Sequence, residues 1–273
     1  MKSIKIYSRY LTSIAVLLAL SACISPRSTE GPMAFIEDKI DCPIRPKTLI
    51  VFMPGVREVP ADIVREGFVK AVRDRRIQAD MQILDSHYGF FTKLEIVDRL
   101  EKEVVLPARA KGYSQIWFAG ISLGGFGTLI YGASQAKLAT PDPKKMYDGF
   151  FVMAPYMGEP KVWEPIQSTG LKDWKGSEIN TEKADFSTDL WRWLSRYTLP
   201  NVEALPQAYI GYGTEDRLAP PNKIFGWALP PSRHLQEPGG HDWPPWKALW
   251  ARWLDTAPLP KVASADQLCN ASN

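Results

Sequence analysis

The sequence predicts an α/β protein: a mostly parallel sheet of about six strands, helices on both faces, and a small helical cap inserted at about residues 156–199. Three observations carry this. Unbroken apolar runs of strand length recur, as in Leu49-Ile50-Val51-Phe52-Met53, Ile116-Trp117-Phe118-Ala119 and Gly149-Phe150-Phe151-Val152-Met153-Ala154. Such runs suit strands buried on both faces, as in a parallel sheet. Segments with apolar residues at helical spacing separate them, and strands alternating with helices imply right-handed crossovers. The connections are short, with one exception.

The elements follow in order. After the first run the chain stops at Pro54-Gly55-Val56, and Pro60 opens a helix to about Arg76 with Ile63, Phe68 and Val72 inward. Met81-Gln82-Ile83-Leu84 is the next strand. A second helix runs from about Thr92 towards Ala110, kinked or ended at Pro107. The strand at Ile116 leads through glycines into a helix beginning near Gly125. The strand at Gly149 is followed by the exception, Pro155 to Leu199, which holds Trp163, Trp174, Trp191 and Trp193 among many charges. A connection this long is uncommon unless it has a task. It leaves the carboxyl end of a strand, so it is read either as a cap over an active site or as a satellite cluster of structural packing. Ala208 to Gly213 resumes the sheet, Arg233 to Gln236 ends it, and a Trp-rich helix runs from Trp243 to about Leu254.

Composition sets the outer limits. A chain of 273 residues with 45% apolar residues is long enough for one domain with an insertion. Lys2, Lys5 and Arg9 lie in a stretch without acids, leaving thirty basic and thirty acidic side chains in the rest. A near-neutral body offers no basic patch for nucleic acid. No paired-cysteine or His-Glu-x-x-His spacing suggests zinc, and no Gly-Lys-Ser/Thr ending suggests a phosphate loop.

Residues 1–22 read as an export signal: basic residues, then an apolar core from Ile14 to Leu20 too short to span a bilayer. The segment ends in Leu20-Ser21-Ala22-Cys23, which resembles the lipobox of bacterial lipoproteins. That resemblance implies acylation of Cys23 and a membrane anchor, with Ile24 favouring the outer membrane on its periplasmic side; an ordinary cleavable signal is the alternative. Residues 23–47 are polar and Pro-rich, as a tether would be. The domain is expected at 48–256, with an irregular tail at 257–273. Cys42 and Cys269 could pair in an oxidising compartment or remain two free thiols.

In a parallel sheet, active sites lie beyond the carboxyl ends of the strands. On that edge stands Gly120-Ile121-Ser122-Leu123-Gly124, between a strand and a helix. Gly-x-Ser-x-Gly in this context is the pattern of a nucleophile elbow, in which a sharp turn lifts the serine hydroxyl above the sheet. Serine needs a base. Of the three histidines, His241 follows Gly239-Gly240 on the last loop of that edge and is preferred; His87 precedes the serine, and His234 lies within a strand. For the acid that orients the base, Asp216 is preferred over its neighbour Glu215, both on the loop after Gly213. Asp242, adjacent to the base, is read as a helix cap. Backbone N–H donors for an oxyanion are expected from Leu123 and from the loop after Met53, Val56 first and Gly55 next.

From Leu49 to Leu254 these residues together resemble the α/β-hydrolase family. The resemblance rests on the Gly120–Gly124 elbow, the Gly213–Asp216 acid loop and the Gly240-His241 base loop. It implies hydrolysis of a small-molecule carboxylic ester through a serine ester intermediate, without metal or organic cofactor; the alternatives are a thioesterase or acyltransferase using the same three residues, or a non-catalytic envelope lipoprotein of this fold that acts by binding. The aromatic insertion suggests an apolar moiety in the substrate. The antiparallel first strands of larger members are not evident before Leu49, hence the expectation of about six strands.

Overall fold

The computed structural model describes residues 27–41, 45–137, 142–176, 186–200 and 204–263. Cys23, Cys42 and Cys269 lie outside these, as do the stretch expected as an export signal and most of the expected tail.

Seven strands form one sheet: β1 Phe35–Asp38, β2 Thr48–Met53, β3 Ala79–Leu84, β4 Gln115–Ile121, β5 Gly149–Met153, β6 Gln207–Gly213 and β7 His234–Glu237. Their order is β1-β3-β2-β4-β5-β6-β7. All neighbours are parallel except β1, which pairs antiparallel with β3. The described residues thus hold seven strands where about six were expected, and the additional one lies inside the stretch expected as a tether. The physical reason is position: β1 is an outer strand, mostly exposed, and its Phe-Ile-Glu-Asp sequence carries neither an apolar run nor an alternation.

Successive residues of the central strands face opposite sides. Leu49, Val51 and Met53 enter one core with Ile116, Phe118, Phe150 and Val152, whereas Ile50 and Phe52 enter the other with Trp117, Ala119, Phe151 and Met153. Both sides are closed by helices, which explains why the strands read as continuous apolar runs.

The second core is covered by α1 Pro60–Arg65, α2 Phe68–Asp74 and the last helix. The single helix expected from Pro60 to Arg76 is broken at Gly67, whose φ of 87° is left-handed and turns the chain between α1 and α2. The first core is covered by α3 Tyr88–Thr92, α4 Ile96–Arg99, α5 Leu106–Ala110 and α6 Leu123–Ala136. Between α4 and α5, residues Leu100–Val105 are π-helical, directly ahead of Pro107, so the expected kink at that proline is taken up one turn earlier.

The long connection supplies α7 Pro160–Thr169 and α8 Phe186–Leu194, with residues 177–185 outside the description. Trp174, Trp191 and Trp193 are buried in the core shared with α6. A Cβ on Gly132 of α6 would lie 2.6 Å from the Trp193 ring, so the two helices press together there. The indole N–H of Trp191 donates to the Met157 carbonyl at 3.0 Å. These tryptophans serve as core packing on the sheet face, which is the satellite alternative. The remaining helices are α9 Ala219–Gly226 and α10 Trp243–Thr256. No described helix is long and apolar enough to cross a membrane.

Candidate active site

The carboxyl ends of β2, β4, β5, β6 and β7 converge on Ser122. The serine joins β4 to α6 with φ 52° and ψ −112°, backbone angles that a non-glycine residue adopts only when its surroundings impose them. Those surroundings are specific. Ser122 N–H donates to Met153 O of β5 (3.0 Å), and Ser122 O accepts from Tyr156 N–H (3.1 Å) and Phe126 N–H (3.0 Å). Both flanking glycines are required by close approach. A Cβ on Gly120 would sit 2.5 Å from the Gly124 carbonyl, and one on Gly124 would overlap the backbone of Met53 and Pro54. The elbow is thus wedged against the end of β2.

His241 and Asp216 reach the serine from the other side. Asp216 lies on the turn after β6, where its N–H donates to Gly213 O at 3.0 Å. Its side chain is fully buried. One carboxylate oxygen, Oδ1, accepts from Leu218 N–H (2.8 Å), and Oδ2 lies 2.7 Å from His241 Nδ1. A carboxylate only accepts, so Nδ1 carries the proton and Nε2 is left with its lone pair. The Ser122 hydroxyl, 2.9 Å from Nε2, then donates to it. The imidazole edge packs against the Trp246 ring at 5.0 Å and an interplanar angle of 87°. Ser122 itself is 9% exposed.

The other expected residues fall as follows. Leu123 opens α6, whose first-turn N–H groups have no carbonyl four residues back to bind. Gly55 packs on Ser122: its Cβ position is 3.5 Å from Ser122 Cβ. Val56 follows it on the exposed part of the loop. Glu215 is exposed beside Asp216 and makes no bond to His241. Asp242 stands at the N-cap of α10 without a side-chain cap bond. Among the described residues no cluster of three His, Cys, Asp or Glu could hold a metal ion.

His87 and His234 stay away from the serine. His87 caps α3, its Nδ1 accepting from Gly89 N–H at 3.2 Å, and His234 pairs with the Tyr212 hydroxyl at 3.0 Å. Burial, then a positive neighbour (Arg27 for His87, Lys223 for His234), lowers both from the ordinary 6.5. The sign follows: below about pH 6.5 the unfolded chain takes up protons that the folded chain refuses, so stability present at pH 7.5 is lost as pH falls through 6.5 towards the folded values. The urea midpoint should therefore drop between pH 7.5 and 5. His87→Asn, which keeps a capping side chain but cannot titrate there, should make that drop smaller. An equal drop in parent and variant would refute the assignment to His87.

Two features were not anticipated. Phe126 of α6 stacks on Phe91 of α3 at 6.3 Å and meets Tyr156 edge-on at 5.3 Å, so three elements build an aromatic wall beside the elbow. These residues, rather than the tryptophans of the insertion, give the site its apolar side. The second is Glu58. Its carboxylate fills the space where a Gly55 side chain would be, on the same face as Ser122. If Ser122 is the nucleophile, a negative charge there opposes an oxyanion forming at it. Glu58→Gln should raise kcat/KM for a neutral ester by about fivefold at low salt, equivalent to about 1 kcal/mol. An unchanged or lower value would show that the carboxylate has no such influence.

No protein-family model and no curated protein matches this sequence. Solved structures do. The S-formylglutathione hydrolase FrmB of Staphylococcus aureus superposes with a TM-score of 0.52 at 15% identity, covering 85% of this chain and 98% of that one. The chain has the α/β-hydrolase fold. More distant superpositions are to Est1E of Butyrivibrio proteoclasticus (TM-score 0.49, 15% identity, 83% and 93% covered) and to a monoacylglycerol lipase of Paleococcus ferrophilus (0.48, 13%, 82% and 98%). At these identities the likeness is one of fold, and chemistry must be argued from the side chains.

Proposed function

We propose that this α/β-hydrolase-fold chain is a serine hydrolase of carboxylic esters, anchored to the bacterial envelope by acylation of Cys23. The observation that carries the catalytic reading is the continuous chain Asp216 Oδ2, His241 Nδ1, His241 Nε2, Ser122 Oγ, with links of 2.7 and 2.9 Å.

The chemistry proceeds in two halves. Ser122 Oγ attacks the ester carbonyl as His241 Nε2 takes its proton, and Asp216 stabilises the resulting imidazolium. The tetrahedral oxyanion is received by Leu123 N–H and by Val56 or Gly55 N–H. Collapse expels the alcohol, to which His241 returns the proton, and leaves an acyl ester on Ser122. Water then attacks that ester with His241 again as base, and the acid departs with Oγ reprotonated. The sharp turn at Ser122 is held before substrate arrives, so little reorganisation is needed at the reacting atom.

The aromatic wall of Phe91, Phe126 and Tyr156 favours an apolar acyl or alcohol group. The test is kcat/KM along a series of p-nitrophenyl esters of growing chain length, beside a charged, water-soluble ester. Rising values with chain length are expected; a maximum on the charged ester would sink the apolar specificity. Membrane anchoring rests on Leu20-Ser21-Ala22-Cys23. An intact mass showing Cys23 without acyl chains would remove it.

A further inference from the structure

The stretch expected as a tether is bound to the body where it is described. Arg27 pairs with both carboxylate oxygens of Asp85 (2.9 and 2.6 Å), the residue that follows β3. Thr29 receives Lys93 on its hydroxyl (3.0 Å), and Arg99 donates to the Thr29 and Gly31 carbonyls (2.5 and 2.7 Å). Met33 N–H donates to Glu103 (2.7 Å), and Asp85 N–H to Ala34 O (2.7 Å). Thr29 and Met33 are buried. Because β1 is antiparallel and Phe35 lies opposite Leu84, the last residue of β3, this whole segment sits on the carboxyl edge of the sheet. That is the edge carrying Ser122.

Chain length then restricts the anchor. Four residue-to-residue steps, across Ile24, Ser25 and Pro26, lead from Cys23 to Arg27, and an extended chain advances at most about 3.6 Å per residue. Whatever its path, Cys23 is held within about 14 Å of Arg27. The surrounding edge has the composition of a membrane interface. Val56 and Val59 after β2, Tyr88 and Leu94 after β3, and Phe35 at the head of β1 are all exposed, Leu94 by 65%. Beside them Arg57 is exposed, and neither it nor Lys93 has a carboxylate partner among the described residues. Aliphatic and aromatic groups beside Arg57 and Lys93, with Glu58 the acid between Arg57 and Val59, have the mixed apolar and charged character of the boundary between acyl chains and headgroups. On the far side of Ser122 the exposed side chains are charged, with both signs present: Glu159, Glu215 and Asp242 beside Lys161 and Arg217. The two halves of the edge differ in a way that sets a tilt.

We infer that the docked segment Arg27–Ala34 holds the lipid anchor beside the catalytic edge, so that the β2–β3 half of that edge rests on the bilayer and Ser122 acts on acyl esters resident in that leaflet. This rests on the serine-esterase and Cys23-acylation readings above. A tether that bound elsewhere, or stayed free, would leave the site facing the aqueous phase.

The experiment uses the full-length acylated chain reconstituted in phosphatidylethanolamine/phosphatidylglycerol vesicles. It compares the parent with a variant carrying 24 inserted Gly/Ser residues between Pro26 and Arg27. Such a linker has a root-mean-square span of about 27 Å and frees the body from its imposed orientation. Two substrates are used, a bilayer-confined fluorogenic long-chain ester and p-nitrophenyl acetate in solution. The spacer should lower hydrolysis of the bilayer ester about tenfold through lost effective concentration, with p-nitrophenyl acetate hydrolysis unchanged. Tyr88→Ser combined with Leu94→Ser, without spacer, should lower only the bilayer rate. If both rates are the same in parent and spacer variant while mass spectrometry finds Cys23 acylated, the orientation inference is overturned and the readings beneath it stand. An unacylated Cys23, or a parent inert on p-nitrophenyl acetate, would bring down the corresponding reading and this inference with it.

Discussion

Ser122→Ala should reduce kcat on a short p-nitrophenyl ester on the order of 10^4- to 10^6-fold, with folding intact. His241→Ala should cost about as much, and the double variant no more than either alone, because the two act as one unit. The reason is in the geometry. Without Nε2 at 2.9 Å the hydroxyl keeps its proton as it attacks, and without Oγ the base has nothing to activate but water. Asp216→Asn should cost about 10^4-fold. An amide in place of Oδ2 can donate to Nδ1, which shifts the proton to Nε2 and turns the base away from its task. Steady-state rates with a matched urea midpoint check all four variants. Additive losses in the double variant would mean that Ser122 and His241 act separately.

The largest effect on stability is expected from a single methyl group. Gly124→Ala places a Cβ into the backbone of Met53 and Pro54, with Met53 C only 2.5 Å away. These are main-chain atoms of a fully buried strand end, so no side-chain rotation relieves the overlap. A cost of about 3 kcal/mol or more is expected, a large part of the roughly 5–15 kcal/mol typical of a domain. Gly240→Ala is the control: nothing lies within 4 Å of its Cβ position, and it should stay within about 0.5 kcal/mol of the parent. Urea unfolding of both measures the difference. Equal midpoints would show that the elbow is not wedged as described.

What could be read in the sequence was what the chain states locally. The strands at Leu49, Ile116 and Gly149 are continuous apolar runs because both of their faces are buried, so no partner needed to be known. The loops bearing Ser122, Asp216 and His241 could be singled out because each follows the carboxyl end of a sheet strand, β4, β6 and β7. What escaped was decided by partners distant in the chain. β1 is a strand only because β3 leaves an edge open to it, and its exposed residues leave no pattern. For the tryptophans of the insertion the sequence left two places open, over a site or in a core. Whether Trp191 and Trp193 cover a site or a core depends on the path of α8, and the Gly132 notch that receives Trp193 lies some sixty residues earlier. Glu58 gave no signal at all, being one acid among thirty whose carboxylate happens to lie over Gly55. The tether misled for a similar reason. Its polar, Pro-rich composition is right for a linker, and its anchoring depends on Asp85, Lys93, Arg99 and Glu103.

The central claim is that Ser122 is an activated nucleophile, and a fluorophosphonate tests it most directly. Attack by Oγ on phosphorus expels fluoride and leaves a phosphonyl ester that does not turn over, so the adduct records the nucleophile itself. The full-length protein in detergent should label in near one-to-one stoichiometry, with the added mass on the peptide bearing Ser122, slowly in His241→Ala and not at all in Ser122→Ala. A folded parent that remains unlabelled, or a Ser122→Ala variant that labels as the parent does, would contradict the account.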